Sequence, residues 1–357
     1  MWPNERYPGY GSFVKNVVDG LRLRGYEFVA TALIVGRSES FPEKLWKYMR
    51  FYLQILSGYF RKYDFIYVHF PNQSLPLLLP LYLIRPVKVI VNLHGEDLLY
   101  EHRGISGLLG HMNDFFMKKA DAVVVPSDYF KGLVLDRIRC AQTKLIVSPS
   151  GGIDSSCFFP SPHKRDNASL HLGYVGRIDE GKGWSDFIRI LLSLPDSLRY
   201  KATIIGNGGQ VKMMRALLKE NRLEDVKYIP YVPQNVLRQY YCSFDLLLLF
   251  SSRKAESLGL VGIEAMACGT PVLGNATGGI PSYLKDGYNG FLTETGNLEQ
   301  QVAAVVKFYS LPEKDKEQMR RHCLLTASRY FSDKVLDALA EDIALVVKNK
   351  LRFNFKS

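Results

Sequence analysis

Two glutamates eight residues apart, Glu256 and Glu264, sit in the run F-D-L-L-L-L-F, S-S-R-K-A-E-S-L-G, L-V-G-I-E-A-M-A-C, G-T-P-V-L-G. The first falls in a loop and the second on the helix that follows. Between them Gly259 lets a ligand approach the backbone. The free N–H groups of Gly259, Leu260 and Val261 and the helix dipole favour a phosphate there. A second motif, G-R-I-D-E-G-K-G, places Arg177 and Lys182 in a glycine-rich turn. Two fixed cations suit a diphosphate, which needs charge-assisted bonds as it leaves. The loop G-N-G-G, Gly206 to Gly209, offers close backbone approach to a base or ribose. His94 stands in N-L-H-G-E-D, with Glu96 and Asp97 as contacts for acceptor hydroxyls. No local motif suggests a Ser/His/Asp triad, and no Asp-x-Asp pair occurs anywhere in the chain.

These groups need elements that bring them together. Phe244 to Phe250 is an apolar run of strand length. Leu260 to Cys268 reads as a helix closed by Gly269, and a short strand follows Pro271, so the stretch is one β-α-β unit of a buried parallel sheet. Upstream, strands are predicted at 26–35, 65–69, 87–93, 122–125 and 144–147, alternating with helices. The helix over 43–63 carries Leu45, Met49, Tyr52, Leu56 and Phe60 on one face, and Lys47, Arg50, Gln54 and Arg61 on the other. The polar stretch 163–169 reads as a linker. A second β-α series opens at Leu170, and a last helix spans about 332–349. Gly9–Gly11, His69, His94, Ser127, Arg177, Gly206–Gly209 and Glu256 all fall just after a predicted strand, where doubly wound sheets bind ligands. Two such sheets facing one another would line a single cleft.

The E-x7-E spacing followed by A-M-A-C-G-T-P-V resembles glycosyltransferase family 4, the retaining glycosyltransferases of the GT-B fold, also called glycosyl transferases group 1. The resemblance covers nearly the whole chain. It implies an α/β protein with two Rossmann-like domains across a cleft: an acceptor-side domain over 1–165, a nucleotide-sugar domain over 166–330, and a closing helix over 331–357 that crosses back. It implies that Glu256 contacts the donor sugar, Glu264 the ribose, Arg177 and Lys182 the diphosphate, and His94 the donor sugar. Gly11, Asp97, Ser127, Gly206, Gly208, Gly259, Leu260 and Val261 would complete the binding surface. The implied reaction moves a hexose-type sugar from a nucleotide diphosphate sugar to a glycan or lipid-linked acceptor, in cell-surface polysaccharide or glycolipid synthesis. Arg177 and Lys182 would supply the positive charge, so no metal or other cofactor is expected. A GT-B epimerase or phosphorylase would instead release nucleotide without transfer or require inorganic phosphate. A non-catalytic nucleotide- or nucleic-acid-binding module would turn over no nucleotide sugar.

The family pattern opens with a strand before the glycine loop. Met1 to Tyr7, M-W-P-N-E-R-Y, holds a proline and two charges and cannot be a buried central strand. The expectation is therefore that residues 1–8 place no strand in the first sheet, which has a vacancy or a distorted pairing beside 26–35.

At 357 residues with 47% apolar content, two full cores are expected. Five cysteines, Cys140, Cys157, Cys242, Cys268 and Cys323, are scattered with no C-x-x-C pair, against a zinc site or disulfide framework and for a reducing compartment. Net charge is +11, and residues 1–165 hold 21 basic against 14 acidic side chains. No Arg/Lys tract or RNA-binding signature accompanies that excess, so nucleic acid is not expected as a partner. No signal peptide is visible, and the most apolar stretch, 75–84, is too short to span a bilayer. The expectation is a cytoplasmic protein that rests peripherally on an anionic membrane through the 43–63 helix.

Overall fold

The computed structural model describes residues 1–7, 10–99, 104–138, 144–161 and 169–348. Gly9, Cys140 and most of the 163–169 linker lie outside the described residues. The chain divides into two compact units, one of Met1–Gly152 with Ser332–Ser357, the other of Ile153–Phe331. Ile153 belongs to the second because its N–H bonds the Tyr330 carbonyl at 2.9 Å.

The first unit opens with α1 (Ser12–Leu23) and α2 (Phe41–Tyr59). Four parallel strands follow, β1 (Ile66–His69), β2 (Val89–Asn92), β3 (Ala122–Val125) and β4 (Lys144–Val147), in spatial order β1-β2-β3-β4. Helices α3 (Pro71–Ile84), α4 (Gly104–Lys119) and α5 (Asp128–Ile138) connect them. Every residue of β2 and β3 is buried. That is why V-I-V-N and A-V-V-V carry no alternation: a parallel strand covered on both faces is apolar on both.

The predicted strand at 26–35 does not form. Its apolar residues suit a strand, but a strand exists only where a neighbour accepts its ladder. Here, among the described residues, Trp2 alone bridges Val35, with the Trp2 N–H on the Ile34 carbonyl and the Gly36 N–H on the Trp2 carbonyl. Residues 1–7 place no strand in the sheet. The backbone of 29–37 is served instead by the polar side of α2 and by Arg61 just beyond its end. Gln54 Oε1 accepts the Leu33 N–H at 2.9 Å, Lys47 Nζ donates to the Arg37 carbonyl, and Arg61 donates to the Val29 carbonyl, each at 2.8 Å. Backbone groups left without a ladder must find other partners, and these side chains are the substitutes, at the half-buried Leu33 and at the exposed Val29 and Arg37. The apolar face of α2 therefore points outward. Phe41, Leu45, Trp46 and Leu53 are exposed by 77%, 61%, 60% and 59%. Beside the outer edge of β1 lies a cavity of about 710 Å³, lined by Val17, Leu21, Phe28, Phe51, Ile66 and Val68 among others.

The second unit is a six-stranded parallel sheet. Its strands are β5 (Leu170–Val175), β6 (Tyr200–Ile205), β7 (Lys227–Ile229), β8 (Leu246–Leu249), β9 (Val272–Asn275) and β10 (Gly290–Thr293), in spatial order β10-β9-β8-β5-β6-β7. Helices α6 (Trp184–Ser193), α7 (Val211–Glu220), α8 (Gln234–Ser243), α9 (Leu260–Ala267), α10 (Leu298–Ser310) and α11 (Glu313–Ala327) cover it. One face packs Phe187, Ile188 and Phe308, the other Tyr241, Ile263 and Met266. α12 (Ser332–Lys348) returns to the first unit and places Leu336, Leu339, Ile343 and Val346 against Val17, Leu21, Val124 and Ile146.

Candidate active site

In the second unit the strand order reverses between β5 and β8, which makes their carboxyl ends a topological switch point, the crevice where open α/β sheets bind ligands. The loop after β5 carries Arg177 and Lys182, and the loop after β8 carries Glu256. They meet: Lys182 Nζ lies 2.7 Å from Glu256 Oε2, with the two side chains 23% and 13% exposed. The backbones around the pair are cross-bonded. Tyr174 donates its hydroxyl to the Arg177 and Lys182 carbonyls at 2.9 and 3.1 Å. The Ser252 N–H bonds the Gly181 carbonyl at 3.0 Å, and the Arg253 guanidinium reaches the Glu180 carbonyl. The Glu256 carbonyl accepts the Gly279 N–H at 2.9 Å. The pair is thus held from both sides by fixed backbone. Arg177 is half exposed and pairs with Asp179 at 2.9 Å.

The glycines of G-N-G-G have a packing reason of their own. A Cβ on Gly206 would stand 1.8 Å from the Gly176 carbonyl oxygen, and one on Gly208 would stand 2.4 Å from that of Ile178. No side chain fits at either place. The two loops are stitched by the Ile178 N–H on the Asn207 carbonyl and by the Gly209 N–H on Asp179 Oδ1 at 2.7 Å.

Gly259 caps α9 in the left-handed region, φ 67°, and its carbonyl accepts the Tyr283 hydroxyl at 3.1 Å. The first N–H groups of the helix, from Leu260 and Val261, have no intrahelical acceptor by geometry. One turn further Glu264 is buried, and Tyr241 of α8 donates its hydroxyl to Oε2 at 2.8 Å. Burial raises the Glu264 carboxyl to about 7; the Tyr241 bond opposes that rise without cancelling it. Tyr241 escaped the sequence reading, since a tyrosine on the buried stripe of an amphipathic helix carries no local signal of its role.

The first unit gathers a second cluster at the carboxyl ends of β1, β2 and β3. His94 follows β2, and its Nε2 lies 3.0 Å from Nδ1 of His69, the last residue of β1. Phe70 stacks on His94 at 4.3 Å and Phe13 approaches it at 4.8 Å between ring centres. Gly11, the N-cap of α1, sits two residues before Phe13. Asp97 is turned inward: its Oδ2 accepts the His94 N–H at 2.9 Å, while Glu96 is exposed. Burial raises the Asp97 carboxyl to about 7. Ser127, after β3, is buried with its hydroxyl unpartnered among the described residues. Burial also lowers both imidazoles, His69 to about 3 and His94 well below its ordinary value, so both rings are neutral at pH 7. Among the described residues, no three His, Cys, Asp or Glu side chains converge as metal ligands.

Two parallel sheets in two units, with charge fixed at the switch point of the second, define an α/β protein of the GT-B class. The model of the Glycosyltransferase Family 4 matches residues 9–154, and that of Glycosyl transferases group 1 matches 159–322. The chain belongs to this family. It is 26% identical over 250 residues to N-acetyl-alpha-D-glucosaminyl L-malate synthase of Bacillus anthracis, which covers 66% of this chain and 62% of that protein. The chain thus spans less than two thirds of the length of such a relative. Sucrose-phosphate synthase from Thermosynechococcus elongatus superposes with TM-score 0.78 at 17% identity, over 95% of this chain and 93% of its own. The Anabaena protein HepE, solved with UDP and glucose, superposes with TM-score 0.68 at 20% identity, over 87% and 85%. No helix of the described residues is long and apolar enough to cross a membrane.

Proposed function

We propose that the enzyme moves a hexose-type sugar, with retention at the anomeric carbon, from a nucleoside diphosphate sugar to a glycan or lipid-linked acceptor. The observation that carries this reading is the Lys182–Glu256 ion pair at the switch point, in the unit that also buries Glu264 on the helix opened by Gly259. An incoming diphosphate competes with Glu256 for Lys182 and takes a second cation from Arg177 and N–H groups from the start of α9. Glu256, released, faces the sugar, and Glu264 takes the ribose hydroxyls. Same-face attack by the acceptor, with the departing phosphate accepting its proton, gives retention. His94 serves the donor sugar, and the two cations neutralise the leaving group without a metal. A nucleotide and glucose in the related HepE fold support a donor of this chemical class. The test is a nucleotide-sugar screen by thermal stabilisation, since a ligand of the folded state raises its apparent stability. Product NMR on the best donor then reads the anomeric configuration. An inverted product, or nucleotide release with no transfer, overturns the reading.

A second observation concerns location. The exposed stripe of Phe41, Leu45, Trp46, Met49, Leu53 and Leu56 on α2, with Lys44 and Arg50 exposed beside it, matches a helix that inserts apolar side chains into an anionic membrane surface. We propose peripheral attachment through this face, which would bring the enzyme to a lipid-linked acceptor.

A further inference from the structure

Each ring of the His69–His94 pair is neutral and so carries one proton on one of its two nitrogens. The 3.0 Å contact between His69 Nδ1 and His94 Nε2 needs a proton on one side only. Two arrangements satisfy it. If His94 donates from Nε2, the proton of His69 must sit on its own Nε2. That atom is buried and has no partner among the described residues. An orphaned buried N–H is the rarer and costlier defect, whereas an unused imidazole lone pair is a lesser loss. If His69 donates from Nδ1, its Nε2 is only a lone pair and the orphan disappears. His94 then accepts at Nε2 and must hold its proton on Nδ1.

The surroundings leave little freedom for any other outcome. The ring planes lie within 15° of each other. Tyr67 meets His69 edge-on at 4.9 Å, which fixes that ring, and Phe70 and Phe13 hold His94. The turn carrying His94 is fixed by Asp97 on its N–H. We infer that His69 is a positioning residue whose Nδ1–H fixes His94 as the Nδ1–H tautomer, so that His94 acts toward the donor sugar as a neutral hydrogen-bond donor, not as a base. This rests on the reading of His94 as a donor-sugar residue, and the experiment separates the two.

The probe is nitrogen-15 NMR of the full chain labelled at histidine, with His94 assigned by comparison with His94→Ala. The wild-type protein should show His94 protonated at Nδ1. His69→Asn keeps an N–H close to where Nδ1 stood, whereas His69→Leu keeps the bulk without a donor. The asparagine variant should retain the His94 tautomer and kcat/KM within several-fold. The leucine variant removes the acceptor-and-donor choice that fixes the ring, so His94 should no longer hold a single tautomer but show a mixture of Nδ1–H and Nε2–H, with a loss of about 10- to 100-fold in kcat/KM, the scale known for partners that orient metal-bound histidines. His69→Leu with His94→Ala should be no slower than His94→Ala alone, because coupled residues are not additive. His94 protonated at Nε2 in the wild type overturns the inference directly, whatever the variants do. So does equal activity of the asparagine and leucine variants when His94→Ala is inactive. Full activity of His94→Ala instead removes the donor-sugar role and leaves the NMR to decide the tautomer.

Discussion

Replacing Glu264 by glutamine should make the unliganded enzyme more stable and a poorer binder of nucleotide. Burial lifts this carboxyl from 4.5 to about 7. A shift of that size corresponds to about 3 kcal/mol at about 1.36 kcal/mol per pH unit. The sign follows from proton binding. The folded state holds the proton more tightly than the unfolded one, so stability is fully present below pH 4.5 and is lost as pH rises through 7. Above pH 7 the ionised carboxylate bears the whole penalty. Glutamine keeps an oxygen for the Tyr241 hydroxyl and has no charge to bury. Its advantage should thus be nil near pH 4.5 and about 3 kcal/mol near pH 8, or about 6–12 °C in Tm for a unit of this size. Calorimetry of both proteins across that range measures it, following the transition of the second unit. A Tm difference that does not change with pH refutes the assignment of the penalty to this carboxyl. In the same samples a nucleoside diphosphate should stabilise the wild type and act weakly on the variant, because ribose hydroxyls would replace the lost water around Glu264. Equal stabilisation would remove Glu264 from the nucleotide site.

Lys182→Ala should lower kcat/KM by about 2–4 kcal/mol in transition-state terms, the scale of one lost electrostatic donor, while Glu256→Gln should lower turnover more than donor binding. Wild-type kinetics in both would place the chemistry elsewhere, and loss of wild-type activity on adding EDTA would contradict the metal-free reading. Gly206→Ala forces a methyl onto the Gly176 carbonyl and should unfold the loop pair, detected as lost donor binding with a lowered Tm. Leu45→Glu with Trp46→Glu should abolish flotation with anionic vesicles and leave activity on a soluble acceptor unchanged; flotation equal on neutral and anionic lipid rejects the charge-assisted attachment.

The second unit was legible in the sequence because its physics is local. Within F-D-L-L-L-L-F the four leucines of β8 show no alternation since the strand is buried on both faces, and the glycines that bound α9 mark its ends. The same holds for Lys182 and Glu256, whose loops follow adjacent strands. What was not legible depends on partners. Tyr26–Val35 has strand composition, yet among the described residues only Trp2 bridges it. The spacing in α2 separates two faces without saying which finds a core, and the polar one was recruited by the unpaired backbone of 29–37. His69 and Tyr241 matter through the atoms they touch on distant segments, His94 and Glu264. β10 has no signal of its own, because G-F-L-T is short and contains a glycine.

The return of α12 to the first unit sets an order of events during synthesis. Ile153–Phe331 is continuous in sequence, so all of its strands and helices are available once Phe331 has left the ribosome. The first unit is not continuous: Val17, Leu21, Val124 and Ile146 wait for Leu336, Leu339 and Ile343. At about 5–20 residues per second the intervening unit takes about 10–35 s to emerge. For that time the nascent first unit shows water an apolar face that α12 will later cover. Ribosome-stalled chains ending before residue 332 should therefore bind holdase chaperones through the first unit, and chains released after residue 348 should not.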